Sequence, residues 1–162
     1  MTRRPGLTLH DRGTLTPKRA SAREAGGTKL TLVKHEDRLE IASEGDVVAA
    51  RHKGRTLAAQ IGFERPERAM ITATISELAR NILDYARSGE MLLRHCEDGD
   101  RHGIIVIASD RGPGIPNVQH VMQAGYAVSS LGLRGVRVLM DSVDVASVAG
   151  LGTTVTAWKW RS

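Results

Sequence analysis

Aromatic residues, cysteine and long apolar runs are scarce in this sequence. Only 3% of its 162 residues are aromatic, which leaves few platforms on which the bases of a nucleic acid strand can stack. The single cysteine, Cys96, excludes an internal disulfide. One cysteine and six scattered histidines show no zinc-binding spacing, because the pair His95 and Cys96 falls short of a structural site. No stretch resembles a secretory signal or a transmembrane helix, so we expect a soluble cytoplasmic protein with no membrane partner.

Positive charge is the main bias of the composition, and it lies in one short segment. The formal net charge is +5. Residues 1–29 contain seven basic and two acidic side chains, whereas residues 30–162 contain sixteen of each sign. The first segment is rich in Gly, Thr and Pro and has no hydrophobic period, which predicts a disordered basic tail. We therefore expect one neutral domain over 30–162 and no specific binding of nucleic acid, and any DNA retention at low salt should depend on the tail.

Hydrophobic periodicity divides the domain into helices and strands. Apolar and polar residues alternate over 30–41 around a polar break at 34–38, which predicts one or two short strands. Ser43 and Asp46 resemble a helix N-cap, and Pro66 resembles the first turn of a second helix. Further elements are predicted as helices over 45–61, 66–86, 118–124 and 133–140, strands over 91–97, 103–108, 143–148 and 153–160, and a turn over 97–100. Together they predict an α+β sandwich with helices on one face of the sheet.

Glu77 and Asn81 form the first candidate site. Their spacing of four residues puts both polar groups on one stripe of the second helix, beside an apolar face that must be buried. A carboxylate and an amide at the edge of a core can serve as a base and as an oxygen ligand for Mg²⁺. An exposed helix flank is the alternative interpretation, and it is the commoner one for such a pair alone.

Three glycine motifs follow along the chain. Asp110-x-Gly112-x-Gly114 comes directly after the most apolar strand, where an acid can accept a hydrogen bond from an amino group and glycines let the backbone approach a flat ligand. Gly132-Leu133-Arg134-Gly135 opens a short helix, whose free N–H groups suit phosphate. Gly150-Leu151-Gly152-Thr153-Thr154 precedes the last strand. Each motif alone is more often an ordinary turn or helix start, and neither a Rossmann fingerprint nor a P-loop occurs.

The order of these four motifs resembles the N box and the three glycine boxes of the GHKL ATPase superfamily, which includes histidine kinases, gyrase and MutL. The stretches 75–82, 110–116, 135–141 and 147–153 are further similar to the RsbT branch, the serine/threonine kinases and anti-sigma-type switch proteins of bacterial stress signalling. The resemblance covers roughly residues 30–160. It implies a two-layer α/β sandwich of the Bergerat type with a mixed, mostly antiparallel sheet.

The resemblance also implies roles for the polar residues. Glu77 matches the acid of the N box, which acts as or positions a general base, and Asn81 matches the Mg²⁺ ligand. Asp110 matches the acid that binds the adenine amino group, and Gly112 and Gly114 shape the pocket for the base. ATP and Mg²⁺ are therefore the implied cofactors.

The remaining two boxes are matched less completely. Gly132 and Gly135 match what remains of the turn that faces the phosphates, and Thr153 or Thr154 matches the hydroxyl near adenine. The glycine-rich lid of the RsbT branch is about three residues longer than the segment over 126–135, and Arg134 stands in place of a proline. A shorter lid has fewer backbone donors for phosphate and less freedom to close.

The implied function is that of an ATP-dependent protein-serine/threonine kinase. Its substrate would be a STAS-domain antagonist protein, and phosphorylation would release the kinase to activate another partner, typically a phosphatase. Because the lid is short, a catalytically weak ATP-binding anti-sigma or adaptor module that acts by sequestration is the alternative. Binding of nucleic acid rests on the basic tail alone.

Overall fold

The computed structural model describes residues 31–123 and 132–162 of the chain. These residues form β1 (Leu32–Ile41), α1 (Glu44–Ile61), α2 (Arg65–Asn81), β2 (Gly89–Asp98), β3 (Arg101–Asp110), α3 (Val118–Gln123), α4 (Gly132–Leu139), β4 (Ser142–Val148) and β5 (Gly152–Trp160). The predicted tail over 1–29 and the lid segment over 126–130 lie outside the described residues.

The strands form one sheet in the order β1-β2-β3-β5-β4. All four pairings are antiparallel, so the sheet is antiparallel throughout the described residues. The resemblance implied a mixed, mostly antiparallel sheet, and the mixed part of that expectation is wrong for these residues. Met91 and Leu93 of β2 and Ile104 and Val106 of β3 are buried in one core with the apolar residues of α1 and α2. The second layer is therefore a helical layer on one face, which confirms the α+β fold.

β1 is one continuous strand through the polar residues 34–38, so of the one or two short strands that the sequence predicts the structure has one. It has one register shift near its amino end and otherwise pairs with β2 along its length. Its charged side chains bind partners on β2 instead of ending the strand: Arg38 donates to both oxygens of Glu90 at 2.8 and 2.9 Å, and Glu36 binds Arg94. Cross-strand pairs of opposite charge stabilise a sheet, and for this reason a polar run is compatible with a strand here.

The amino end of α1 has the predicted cap. The Ser43 hydroxyl accepts a hydrogen bond from the Asp46 N–H at 3.2 Å. The Asp46 carboxylate in turn accepts from the Ala42 N–H at 2.9 Å and from the Ser43 hydroxyl at 3.0 Å, and these bonds hold its pKa below the ordinary value of 3.8. Because the native pKa is lowered, this contribution to stability is present at neutral pH and is lost as the pH falls below 3.8.

Replacement of Ser43 by alanine is expected to lower the free energy of unfolding by about 1 kcal/mol, the usual effect of losing a serine cap. Urea unfolding followed by circular dichroism measures this change. Ser88→Ala, at an exposed serine outside the described helices, is the matched control and should leave the midpoint unchanged. Equal midpoints for the two variants would contradict a stabilising role for the cap.

α1 ends at Ile61, is capped by Gly62 and lies close to α2. Gly62 has a left-handed backbone with φ of 96°, and the guanidinium of Arg161 donates to the Ile61 carbonyl at 3.0 Å, which satisfies one of the last carbonyls of the helix. In the middle of α1, a side chain at Gly54 would overlap the Cδ1 atom of Ile75 on α2. The side chain of Ile75 would therefore have to move if this glycine were replaced.

The second helix differs from its predicted form at its carboxyl end. The α-helix ends at Asn81, and Ile82–Ala86 continues as one π-helical turn instead of as the α-helix that was predicted to run to 86. The following residue, Arg87, has a left-handed backbone with φ of 67°. A π-turn widens the helix locally and is often found beside functional sites.

The β2–β3 hairpin is tighter than the sequence predicts. Only Gly99 and Asp100 form the turn, because Asp98 still pairs with Arg101, and β3 continues to Asp110 because this residue has strand partners on both sides. The two short helices and the last two strands agree with their predicted positions within two residues. Within the described ranges, no helix combines the length and the apolar character needed to cross a membrane.

Candidate functional site

A cavity of about 300 Å³ opens between the carboxyl half of α2, the loop after β3 and the start of α4. Its walls are largely apolar, with contributions from Leu78, Ile82, Ile115, Leu133 and Val155. Six of the residues singled out in the sequence also line it: Glu77, Asn81, Asp110, Gly114, Gly132 and Thr153. An apolar cleft with a few convergent polar groups is the usual form of a small-molecule site.

Glu77 and Asn81 line the cavity from α2, as their helical spacing predicts. Glu77 is 7% exposed, and its Oε1 atom accepts a hydrogen bond from the Gly132 N–H at 3.0 Å. This bond joins α2 to the first residue of α4, across the cavity. The acid therefore has one oxygen engaged by the backbone, while the neighbouring amide of Asn81 lies one helical turn away.

Asp110 is held at the floor of the cavity by the sheet. It pairs with Gly89 of β2 and with Thr153 of β5, so its backbone is fixed from both sides. Its Oδ1 atom accepts from the Gly112 N–H at 2.8 Å. Within the described parts of the chain, Oδ2 has no hydrogen-bond partner, and this oxygen can accept a hydrogen bond from an amino group of a ligand.

Two glycines bring loop segments into close contact beneath Asp110. Gly114 has φ of 74°, and a Cβ atom there would lie 2.9 Å from the carbonyl carbon of Val148. Gly152 has φ of 125°, and a Cβ atom there would overlap the Asp110 carbonyl oxygen and lie 2.8 Å from the Cα atom of Arg111. Any side chain at either position would push the loop after β3 away from the sheet.

Ser147 is a residue of this region that the sequence did not single out. Its hydroxyl accepts from the Ile115 N–H at 2.7 Å and lies 2.9 Å from the Thr153 hydroxyl. It therefore connects the loop after β3 to β5, next to the cavity. The signal that could have identified it is the strand register, because Ser147 is the cross-strand partner of Thr153.

Three of the candidate residues do not line the cavity. Thr154 points to the opposite face of the sheet, where its hydroxyl lies 3.2 Å from that of Ser109, because neighbouring residues of a strand face opposite sides. Gly112 lies beside Asp110 and would contact Ala86 if it had a side chain. Gly135 lies inside α4, beyond the part that borders the cavity.

The arrangement of these boxes agrees with a comparison of the chain with known families. The family model described as "Histidine kinase-like ATPase domain" matches residues 41–159. The chain belongs to this family. A histidine kinase-like ATPase domain implies binding of ATP, and the matched region contains every residue that lines the cavity.

One curated relative in the family is the serine/threonine-protein kinase RsbT of Bacillus subtilis (strain 168). It is 45% identical over 125 residues, which cover 75% of this chain and 94% of the relative. The relative is named a serine/threonine-protein kinase, which is the enzyme class that the sequence motifs imply for this chain. The resemblance to the RsbT branch is confirmed.

A solved structure of the RsbU and RsbW domains of a Mycobacterium tuberculosis protein shares the fold. It aligns with a TM-score of 0.52 at 22% identity over 78% of this chain. The chain spans 33% of the length of that structure, which contains more than one domain. The likeness supports the two-layer fold of the histidine kinase-like ATPase family.

The residues of the cavity fit the cofactors that the family implies. The carboxylate of Glu77 and the amide oxygen of Asn81 are oxygen donors, the type that Mg²⁺ prefers. The apolar walls suit the faces of a purine, and Asp110 Oδ2 suits its amino group. At Gly114 and Gly152 there is no room for a side chain, because each glycine lies against backbone atoms next to the loop that carries Asp110.

Proposed function

We propose that the chain is an ATP-dependent serine/threonine protein kinase of a sigma-factor regulatory pathway. In this proposal it phosphorylates a STAS-domain antagonist protein and then binds and activates a downstream phosphatase, in the cytoplasm. The observation that carries the proposal is the convergence of Glu77, Asn81, Asp110 and Thr153 on one cavity from three separate segments of the sequence. The 45% identity to the kinase RsbT supports the same reaction class.

The adenine base occupies the apolar part of the cavity in this proposal. Asp110 Oδ2 accepts a hydrogen bond from its amino group, while Oδ1 remains bound to the Gly112 N–H. Thr153, which is held by Ser147, offers a hydroxyl to a ring nitrogen. Guanine has a carbonyl oxygen where adenine has this amino group, and that oxygen cannot donate to the carboxylate, so binding should favour adenine over guanine.

The phosphates lie toward α2 and α4. Asn81 is the Mg²⁺ ligand, and the ion neutralises phosphate charge when it is bound. Gly132 lies at the start of α4, where backbone N–H groups favour an anion, although its own N–H is bound to Glu77. Gly135 lies further along the same helix, and the exposed side chain of Arg134 adds a positive charge there. Glu77 acts as the base toward the acceptor hydroxyl or positions it.

Phosphoryl transfer requires little more than this set of residues. The protein has to align the acceptor hydroxyl with the terminal phosphate and to neutralise developing charge, and it needs no covalent nucleophile. A carboxylate, a metal ligand and helix-end amides supply these functions. The acceptor is a serine or threonine that a partner protein must present at the open side of the cavity.

The proposal is tested by incubating the full chain with labelled ATP, Mg²⁺ and STAS-domain proteins encoded beside it in its genome. Transfer of label to a serine or threonine of a STAS protein is the expected result, and Asp110→Asn should reduce it. No transfer to any of them, together with tight binding of a STAS protein or sigma factor without ATP, would favour the sequestering adaptor instead.

Replacement of Asp110 by asparagine is expected to weaken ATP binding by about 10-fold to 100-fold, because a hydrogen bond to a charged acceptor contributes about 1.5–3 kcal/mol. Calorimetric titration with a non-hydrolysable ATP analogue measures the change. Asp144→Asn, at an exposed aspartate of β4, is the matched control and should bind like the original chain. Equal ATP affinity in both variants would show that Asp110 does not bind the nucleotide.

A further inference from the structure

Three side chains with metal-binding chemistry meet at the tip of the β2–β3 hairpin. His95 and Glu97 lie on β2, and His102 lies on β3 as the register partner of Glu97. Strand alternation places all three on the same face of the sheet. His102 and Asp110 lie near opposite ends of β3, roughly 26 Å apart along the strand, so this cluster is separate from the nucleotide cavity.

The three candidate ligand atoms form a triangle of the size that a zinc ion requires. His95 Nε2 lies 3.3 Å from His102 Nδ1, and His102 Nδ1 lies 3.3 Å from Glu97 Oε1. The third side, from His95 Nε2 to Glu97 Oε1, is 3.9 Å. A point equidistant from all three atoms lies about 2.0 Å from each, which matches Zn–N and Zn–O bonds of about 2.0–2.2 Å.

The cluster is open to solvent. The three side chains are between 21% and 34% exposed, so an ion can reach them from solvent.

A neighbouring residue orients the carboxylate. Lys34 of β1 binds the Oε2 atom of Glu97 at 3.1 Å, which leaves Oε1 directed at the two histidines. Such outer contacts fix the orientation of metal ligands. His35 is the register partner of His95 on β1, but its Nε2 atom lies 3.0 Å from Asp37 Oδ2, so it is not part of the cluster.

We propose that His95, Glu97 and His102 form a binding site for Zn²⁺ or a related first-row transition metal ion. Two histidines, one glutamate and an open fourth position are a donor set that zinc uses in proteins. The ion joins β2 to β3 at the hairpin tip. Cys96 takes no part, because strand alternation directs it to the opposite face from His95.

The test is a calorimetric titration of the tag-free full chain with ZnCl₂, without nucleotide. One ion should bind per chain, and Mg²⁺ should not replace it. His102→Ala should weaken binding by at least about 100-fold, since even the loss of an outer contact costs about 10-fold to 100-fold. His52→Ala, at an exposed histidine of α1, is the matched control and should bind Zn²⁺ like the original chain.

A second variant and a second readout separate ligand loss from misfolding. Glu97→Gln keeps the shape of the side chain and should bind Zn²⁺ at least about 10-fold more weakly, with an unchanged circular dichroism spectrum. Zn²⁺ should also raise the urea midpoint of the original chain but not that of His102→Ala. Absence of Zn²⁺ binding by the original chain, or equal binding by His102→Ala and His52→Ala, would overturn the proposal.

Discussion

Replacement of Glu77 by glutamine is expected to reduce the rate of phosphoryl transfer by about 100-fold or more while ATP affinity changes little. Loss of a general base costs about 10²-fold to 10⁴-fold in rate. Glutamine keeps an oxygen that can accept from the Gly132 N–H, so the bond between α2 and α4 is retained. The transfer rate should therefore fall while ATP affinity is retained. Single-turnover transfer of label measures the rate, and calorimetry with an ATP analogue measures the affinity.

Two further variants make this result specific. Glu77→Ala removes the acceptor for Gly132 as well as the acid, and we expect it to weaken ATP binding in addition to the rate. Asp84→Asn, at an exposed acid one turn beyond α2, should leave both quantities unchanged. A Glu77→Gln protein that transfers phosphate at the original rate would show that Glu77 has a structural role only.

Replacement of Gly152 by alanine is expected to lower the free energy of unfolding by about 3 kcal/mol. The backbone at Gly152 has φ of 125°, where a side chain is strained, and the new Cβ atom would overlap the Asp110 carbonyl. Strain of this kind costs about 1–3 kcal/mol, and overpacking adds about as much. The loop that carries Asp110 must also move, so ATP binding should weaken together with stability.

Gly150→Ala is the matched control for this substitution. Gly150 also has a left-handed backbone, with φ of 78°, but a Cβ atom there meets no described atom within 4 Å. Only the backbone strain remains, so we expect a loss of about 1 kcal/mol and normal ATP binding. Urea unfolding of both variants measures the difference, and equal losses would mean that the close approach to Asp110 adds nothing.

The order of the four motifs predicts six residues that line one cavity, because most of the motifs place a polar group near the end of an element. Glu77 and Asn81 follow from helical spacing, and Asp110 follows from its position after an apolar strand. These are local relationships that a sequence contains. The family model over residues 41–159 and the common cavity agree with them.

The details that the sequence missed depend on pairing between distant segments. The choice between Thr153 and Thr154 is decided by the register of β5 against β3, which sends Thr154 to the other face. Ser147 matters because β4 brings it opposite Thr153. Strand register depends on the whole sheet, so a local pattern of residues does not specify it.

The histidines illustrate the same limit. His95 and Cys96 are neighbours in sequence and were the natural pair to consider, but a strand separates adjacent side chains onto two faces. The hairpin instead brings His95 together with His102 across a turn of two residues. The spacing typical of zinc motifs describes ligands on loops and helices, and it does not cover ligands on paired strands.

The charges of β1 also have a consequence for self-association. β1 is the outer strand of the described sheet, so the N–H and C=O groups on its far side have no strand to pair with. Exposed edges of this kind recruit other chains, and alternating charges together with an irregular register are the usual protection. Lys34, Glu36, Arg38 and Glu40 supply those charges. We therefore expect the polar run over 34–38, which the sequence presents as a break, to oppose growth of the sheet by edge-to-edge pairing.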